Sequence, residues 1–219
     1  MRATVASRAG LVGALLLAGL AAGVTPAAAA NPAGVASLGS AAFTKGSSAP
    51  VSISSLGDCA VEGPTSNSSG PVARTGITFG GGTTTCVTTV ATSMNGITTT
   101  KSEAKGKGFE LSALASAGGP RIAVGNYTVS CSATQKNTSA SWTYSAASGL
   151  GTLPQPVPAG YVKPLTKADG TLLAEVIFAE QHLPGNGSIG LTVLRIKFAP
   201  ASGIAGEVVI GRAACSPTP

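Results

Sequence analysis

The feature that most constrains this chain is a rhythm. Short runs alternate apolar or β-branched residues with polar ones, and each run is stopped by glycine, proline, asparagine or aspartate. Val51–Ser55 and Ile77–Phe79 alternate in this way, the second halting at Gly80–Gly82. Thr83–Met94 and Ile97–Thr100 flank Asn95-Gly96, and Tyr161–Lys167 and Thr171–Phe178 flank Asp169-Gly170. A period of two gives a strand one buried face, and Asn-Gly or Asp-Gly supplies the positive φ that a tight hairpin needs. Arg121–Thr134 and Ser139–Ala146 form a further hairpin pattern across Gln135–Asn137, and Ser188–Phe198 and Glu207–Ala213 close the series. Phe109–Leu114 fits a strand or a short helix and is read as a strand. Leu153–Pro158 is loop, because proline cannot donate to a central ladder. The pattern predicts an all-β, antiparallel, Greek-key-like β-sandwich of about ten strands, with a barrel as the less favoured closure.

The first thirty residues belong to a different class. Arg2 and Arg8 precede the apolar run Leu11–Val24, and Ala28–Ala30 offers small side chains for cleavage before Asn31. That is the form of a secretory signal peptide. The expected organisation is residues 1–30 as signal peptide and residues 31–219 as one domain whose Ala/Gly-rich start, Asn31–Ser40, is loose. No cysteine stands at the cleavage site and no second apolar run of about 18 residues follows. A secreted, extracellular protein with no transmembrane anchor is therefore expected, at most loosely associated with the cell wall.

An exported chain meets an oxidising compartment, where an even number of cysteines reads as a disulfide framework. Cys59, Cys86, Cys131 and Cys215 are the four in this chain, and none is spaced as a CxxC motif. Four cysteines allow three connectivities. The pairing chosen here is Cys59–Cys86 with Cys131–Cys215, the second tying a central strand to the last one.

Charge is sparse at 10% of residues, and the chain's net +6 falls to +4 without Arg2 and Arg8. A mild basic excess can favour polyanionic wall polymers. No basic block with interleaved aromatics occurs, which argues against nucleic-acid binding. The densest cluster, Lys101, Lys105 and Lys107 around Glu103, reads as a solvated strand edge.

Candidate chemistry is thin. His182 is the only histidine. Glu180 lies two residues away, on the same strand face, so an acid–base pair for a hydrolase is conceivable; a surface histidine at a strand end is the plainer reading. No Gly-x-Ser-x-Gly elbow is present. Gly185–Gly190 matches the letters of a dinucleotide-binding loop, but Leu191–Phe198 after it is strand, so it reads as a hairpin connection. Neither a metal site nor a cofactor is expected. Trp142 and Tyr144 share a strand face and are the candidate ligand-binding pair, as a stacking platform for sugar rings, against the alternative that the sole tryptophan packs in the core. Tyr127 and Tyr161 would extend such a platform. The threonine runs Thr83–Thr85, Thr88–Thr89 and Thr98–Thr100 read as solvent-facing strand residues. The proline-stiffened loop Leu153–Gly160 has the character of a protease inhibitor's presenting loop.

The Ala-rich leader, the segment Tyr127-Thr-Val-Ser-Cys131 and the ending Gly206-Glu-Val-Val-Ile-Gly-Arg-Ala-Ala-Cys215 resemble secreted actinobacterial proteins of the choice-of-anchor P group and related families. The resemblance covers mainly the last hundred residues. It implies an exported β-rich domain and carries over no catalytic residue. The expected function is a secreted, non-catalytic binding or structural module of the cell envelope; the sequence names no partner, and a cell-wall polymer or polysaccharide is the candidate. The alternatives are a carbohydrate-binding module using Trp142 and Tyr144, and a protease inhibitor or a hydrolase using Glu180 and His182.

Overall fold

Strands with one apolar face bury those faces against each other, and a second sheet is the simplest cover. The computed structural model describes residues 33–90 and 96–217. The expected signal peptide, residues 1–30, and Asn95 of the Asn-Gly turn lie outside the described residues. The described part is all-β, with β1 (Gly34–Lys45), β2 (Val51–Leu56), β3 (Cys59–Ala60), β4 (Ser66–Ser69), β5 (Val72–Arg74), β6 (Ile77–Phe79), β7 (Gly82–Val90), β8 (Thr98–Leu111), β9 (Ile122–Ala133), β10 (Thr138–Ser148), β11 (Val162–Thr166), β12 (Leu172–His182), β13 (Ile189–Phe198) and β14 (Ile204–Cys215). Two short 3-10 helices, Ala113–Ala117 and Pro200–Ser202, complete the elements.

The strands form two antiparallel sheets packed face to face. The first runs β11-β12-β13-β14-β1-β2, with β3 also on β1. The second runs β10-β9-β8, and β8 continues into β6 and β5 along one part and into β7 and β4 along the other. The last strand lies beside the first, from Gly34 opposite Cys215 to Lys45 opposite Ile204.

Several expectations are corrected. The fourteen strands exceed the expected ten, because the stretch between Cys59 and Phe79 forms pieces of two to four residues. The start is not loose from Gly34 onward: β1 is paired on both sides and buries Ala36 and Leu38. Phe109–Leu114 divides, its first half ending β8 and its second half entering the 3-10 helix. Lys101, Lys105 and Lys107 stand on a central strand rather than an edge, since β8 pairs with both β7 and β9. Glu103 lies between Lys101 at 3.2 Å and Lys105 at 2.6 Å. Burial works to raise the Glu103 carboxyl, but the two ammonium groups outweigh it and hold the carboxyl below its usual range. Thr84 and Thr100 face inward and are buried, Thr84 donating to the Gly57 carbonyl and Thr100 lying 2.7 Å from Thr88.

Both sheets share a feature that uniform alternation conceals. In the first sheet the ladders skip one pair in the same row: Ala179 opposite Val193, Val193 opposite Gly211, and Gly211 opposite Leu38. The second sheet skips Gly108 opposite Gly125 and Gly125 opposite Ala146. The register is unchanged on either side, but the buried face switches. On β9 the buried residues are Ile122 and Val124 before the row, then Tyr127, Val129 and Cys131 after it. Ala179, Gly211, Gly108 and Ala146 hold φ of 45°, 61°, 62° and 50°. Each sheet thus has a transverse line of kinks, placed on alternate strands by residues in the left-handed region.

The expected disulfides are present. Cys59 bonds Cys86 and Cys131 bonds Cys215, each with Cα atoms 5.7 Å apart. Each bridge joins one sheet to the other, β3 to β7 and β9 to β14. Among the described residues no helix is long and apolar enough to cross a membrane.

Candidate functional site: a groove beside an edge strand

β10 is the edge of the second sheet, paired only to β9. Trp142 stands opposite Val129 and Tyr144 opposite Tyr127, so both rings point to the inner side of the sheet. At an edge the inner side is only partly roofed, and both aromatics are half-buried. Their rings stack on each other with centroids 5.7 Å apart and planes 15° apart. Tyr144 then meets Phe178 of β12 at 5.9 Å, and Tyr161 meets the same ring at 6.0 Å. Phe178 itself is fully buried. An aromatic chain therefore runs from the open edge into the core.

The segment from Gly149 to Gly160 leaves the edge of one sheet and enters β11 at the edge of the other, so it must cross the open side of the sandwich. Leu153 and Val157 hold it there by packing against the core. Between this loop and β10 lies a groove of about 700 Å³, whose walls include Trp142, Tyr144, Ser145, Leu153, Gln155 and Val157. Among the described residues no charged side chain lines it. Burial pushes the Tyr144 phenol up from its ordinary value, so it is a neutral hydrogen-bonding group at physiological pH. Aromatic faces, hydroxyls and one amide give the groove the means to hold an uncharged, hydroxyl-bearing ligand by stacking and hydrogen bonding.

The other sequence candidates fall elsewhere. Tyr127 is 3% exposed and belongs to the core, so it extends no platform. Tyr161 joins through Phe178, behind the groove rather than in its wall. Glu180 accepts from Arg195 Nε at 2.5 Å, and Arg195 Nη1 donates to Glu207 at 2.8 Å. Burial works against the Arg195 charge, but the two carboxylates outweigh it and strengthen it. His182 is exposed at the end of β12. Gly185–Gly187 connects β12 to β13, as expected of a hairpin. Among the described residues no group of three or more histidine, cysteine or acidic side chains is placed to hold a metal ion.

Sequence reasoning missed Leu153, Gln155 and Val157 as partners of Trp142. Their signal was present in part: two apolar residues interrupt an otherwise proline-rich loop, which is what a loop pinned to a core requires. Nothing in the order of residues says against which strand it is pinned. No family model matches this chain, and no curated protein and no solved structure matches it.

Proposed function

We propose that this chain is an exported, non-catalytic binding module of the cell envelope, and that it takes a neutral polysaccharide in the groove beside β10. The observation that carries the reading is the stacked Trp142–Tyr144 pair in the wall of a groove that has no charged lining residue. A polyanion would gain nothing electrostatic there, whereas the apolar face of a sugar ring can lie on an aromatic while its hydroxyls meet Ser145 and Gln155. The two rings are nearly parallel and, with centroids 5.7 Å apart, offset from each other.

Two further observations support a non-catalytic role. Glu180 is engaged by Arg195, and the charged groups that an acid–base reaction would use are absent from the groove lining. Export is supported by the form of residues 1–30 and by two bridges of the kind that persist in oxidising compartments. The resemblance to secreted choice-of-anchor P proteins agrees with that location.

The test is retention on insoluble neutral polysaccharides from bacterial envelopes and from plant walls, compared between the wild type and Trp142→Ala. The reading expects retention that survives high salt and is lost in the variant. Equal retention of both proteins, or retention by none of the polymers, refutes it.

A further inference from the structure

On the opposite side of the sandwich, a second cavity of about 580 Å³ opens between the sheets. Its walls come from the β1–β2 connection, the β5–β6 turn and the 3-10 helix after β8. Phe43, which is 5% exposed, and Ala113 form an apolar floor, with Pro50 and Val51 beside them. Phe43 is held from behind by Phe198, with ring centroids 5.3 Å apart. Among the described residues the lining contains two cations, Lys45 and Arg74, and no acidic side chain.

Among the described residues neither cation meets a carboxylate. Lys45 Nζ donates to Ser116 Oγ at 2.5 Å, reaching from one sheet to the element that follows the other. Arg74 Nη1 donates to the adjacent Ala73 carbonyl at 2.9 Å. All five ion pairs among the described residues involve other basic groups. Two positive side chains outside any ion pair among the described residues thus line a cavity that joins the apolar Phe43, Pro50, Val51 and Ala113 to the hydroxyls of Ser48, Thr75, Ser112 and Ser116. The volume lies within the roughly 300–1,000 Å³ usual for small-molecule sites.

We infer that this cavity binds a single-chain amphiphile with a carboxylate head, a free fatty acid. The alkyl chain would lie on Phe43, Val51 and Ala113, where apolar burial drives association. The head would sit between Lys45 and Arg74, whose guanidinium can engage a carboxylate through two parallel N–H bonds. The site shares no lining residue with the groove beside β10, so the two proposals stand or fall separately.

The probe is laurate, titrated calorimetrically into the full exported chain, alongside dodecanol and dodecyltrimethylammonium. Laurate is expected to bind with a one-to-one stoichiometry and at least about tenfold more tightly than dodecanol, the factor one charge-assisted hydrogen bond supplies. Lys45→Met with Arg74→Met should remove that preference, and Lys45→Glu with Arg74→Glu should transfer it to the cationic amphiphile. Ala115→Phe, at an exposed lining position, should block all three without unfolding the chain. Equal binding of laurate and dodecanol, laurate binding unchanged in the double methionine variant, or no binding below laurate's aggregation limit overturns the inference. Retention on anionic phospholipid vesicles without laurate binding also overturns it, by assigning the cations to a membrane surface.

Discussion

The Tyr127 hydroxyl donates a 2.7 Å hydrogen bond to the Leu38 carbonyl, from the inner face of one sheet to a strand of the other. Leu38 stands where the β1–β14 ladder skips a pair, opposite Gly211, and Tyr127 follows the kink of β9. The two kink lines thus face each other across the core, and a phenol links them. Tyr127→Phe keeps the ring and deletes the donor to a buried carbonyl. It should cost about 1–3 kcal/mol in chemical denaturation.

The same residue sets an alkaline limit. Burial pushes the Tyr127 phenol well above its ordinary value, so the folded state holds its proton where the unfolded state releases it. The contribution is complete below the unfolded value of about 10 and is lost as pH rises past it. Wild-type stability should fall above that pH, and Tyr127→Phe should show a shallower slope. An identical alkaline slope in both proteins contradicts the assignment.

Gly211 occupies the matching kink of β14. A Cβ there would lie 2.8 Å from Val193 Cγ2 and 3.0 Å from the Tyr127 ring, at a φ of 61° that disfavours L side chains. Gly211→Ala should therefore destabilise by more than about 2 kcal/mol. Ala179 sits in the same row with a φ of 45°. Ala179→Gly should be much milder or stabilising, since it relieves strain of about 1 kcal/mol while losing one methyl. Thermal melts of the two variants should move far apart.

The bridges should differ in weight. Their sequence separations are 27 for Cys59–Cys86 and 84 for Cys131–Cys215. In the chain-entropy account the longer loop stabilises by about 1 kcal/mol more. Cys131→Ser, which also frees Cys215 for thiol titration, should lower the melting temperature more than Cys59→Ser does. The reverse order would show that native contacts, not loop closure, decide the difference.

Much of the fold was legible because burial writes a period of two into a strand. The hairpins at Gln135–Asn137 and Asp169-Gly170 and the loop at Leu153–Pro158 fall where turn chemistry placed them. The disulfide pairs also agree with expectation. What escaped was cooperative between strands. Gly108, Gly125 and Gly211 each interrupt a strand, a sign of a bulge or close approach. Their alignment into rows exists only once the strands are side by side. For the same reason Asn31–Ser40 read as loose: its small residues from Gly34 onward belong to a strand packed between β14 and β2. At the candidate site, the shared face of Trp142 and Tyr144 was readable from spacing. Their half-burial was not, because it depends on β10 being an edge and on where the loop crosses.

The chain contains one tryptophan, so its intrinsic emission reports on the groove itself. Titrating neutral envelope polysaccharide into the protein while recording Trp142 fluorescence is the most direct measurement of the proposed function. The account predicts a saturable shift in emission that is unchanged by high salt, because no charged residue lines the groove, and that weakens in Tyr144→Ala, which keeps the fluorophore. Emission that stays constant while the protein binds the polymer would place the ligand elsewhere and contradict it.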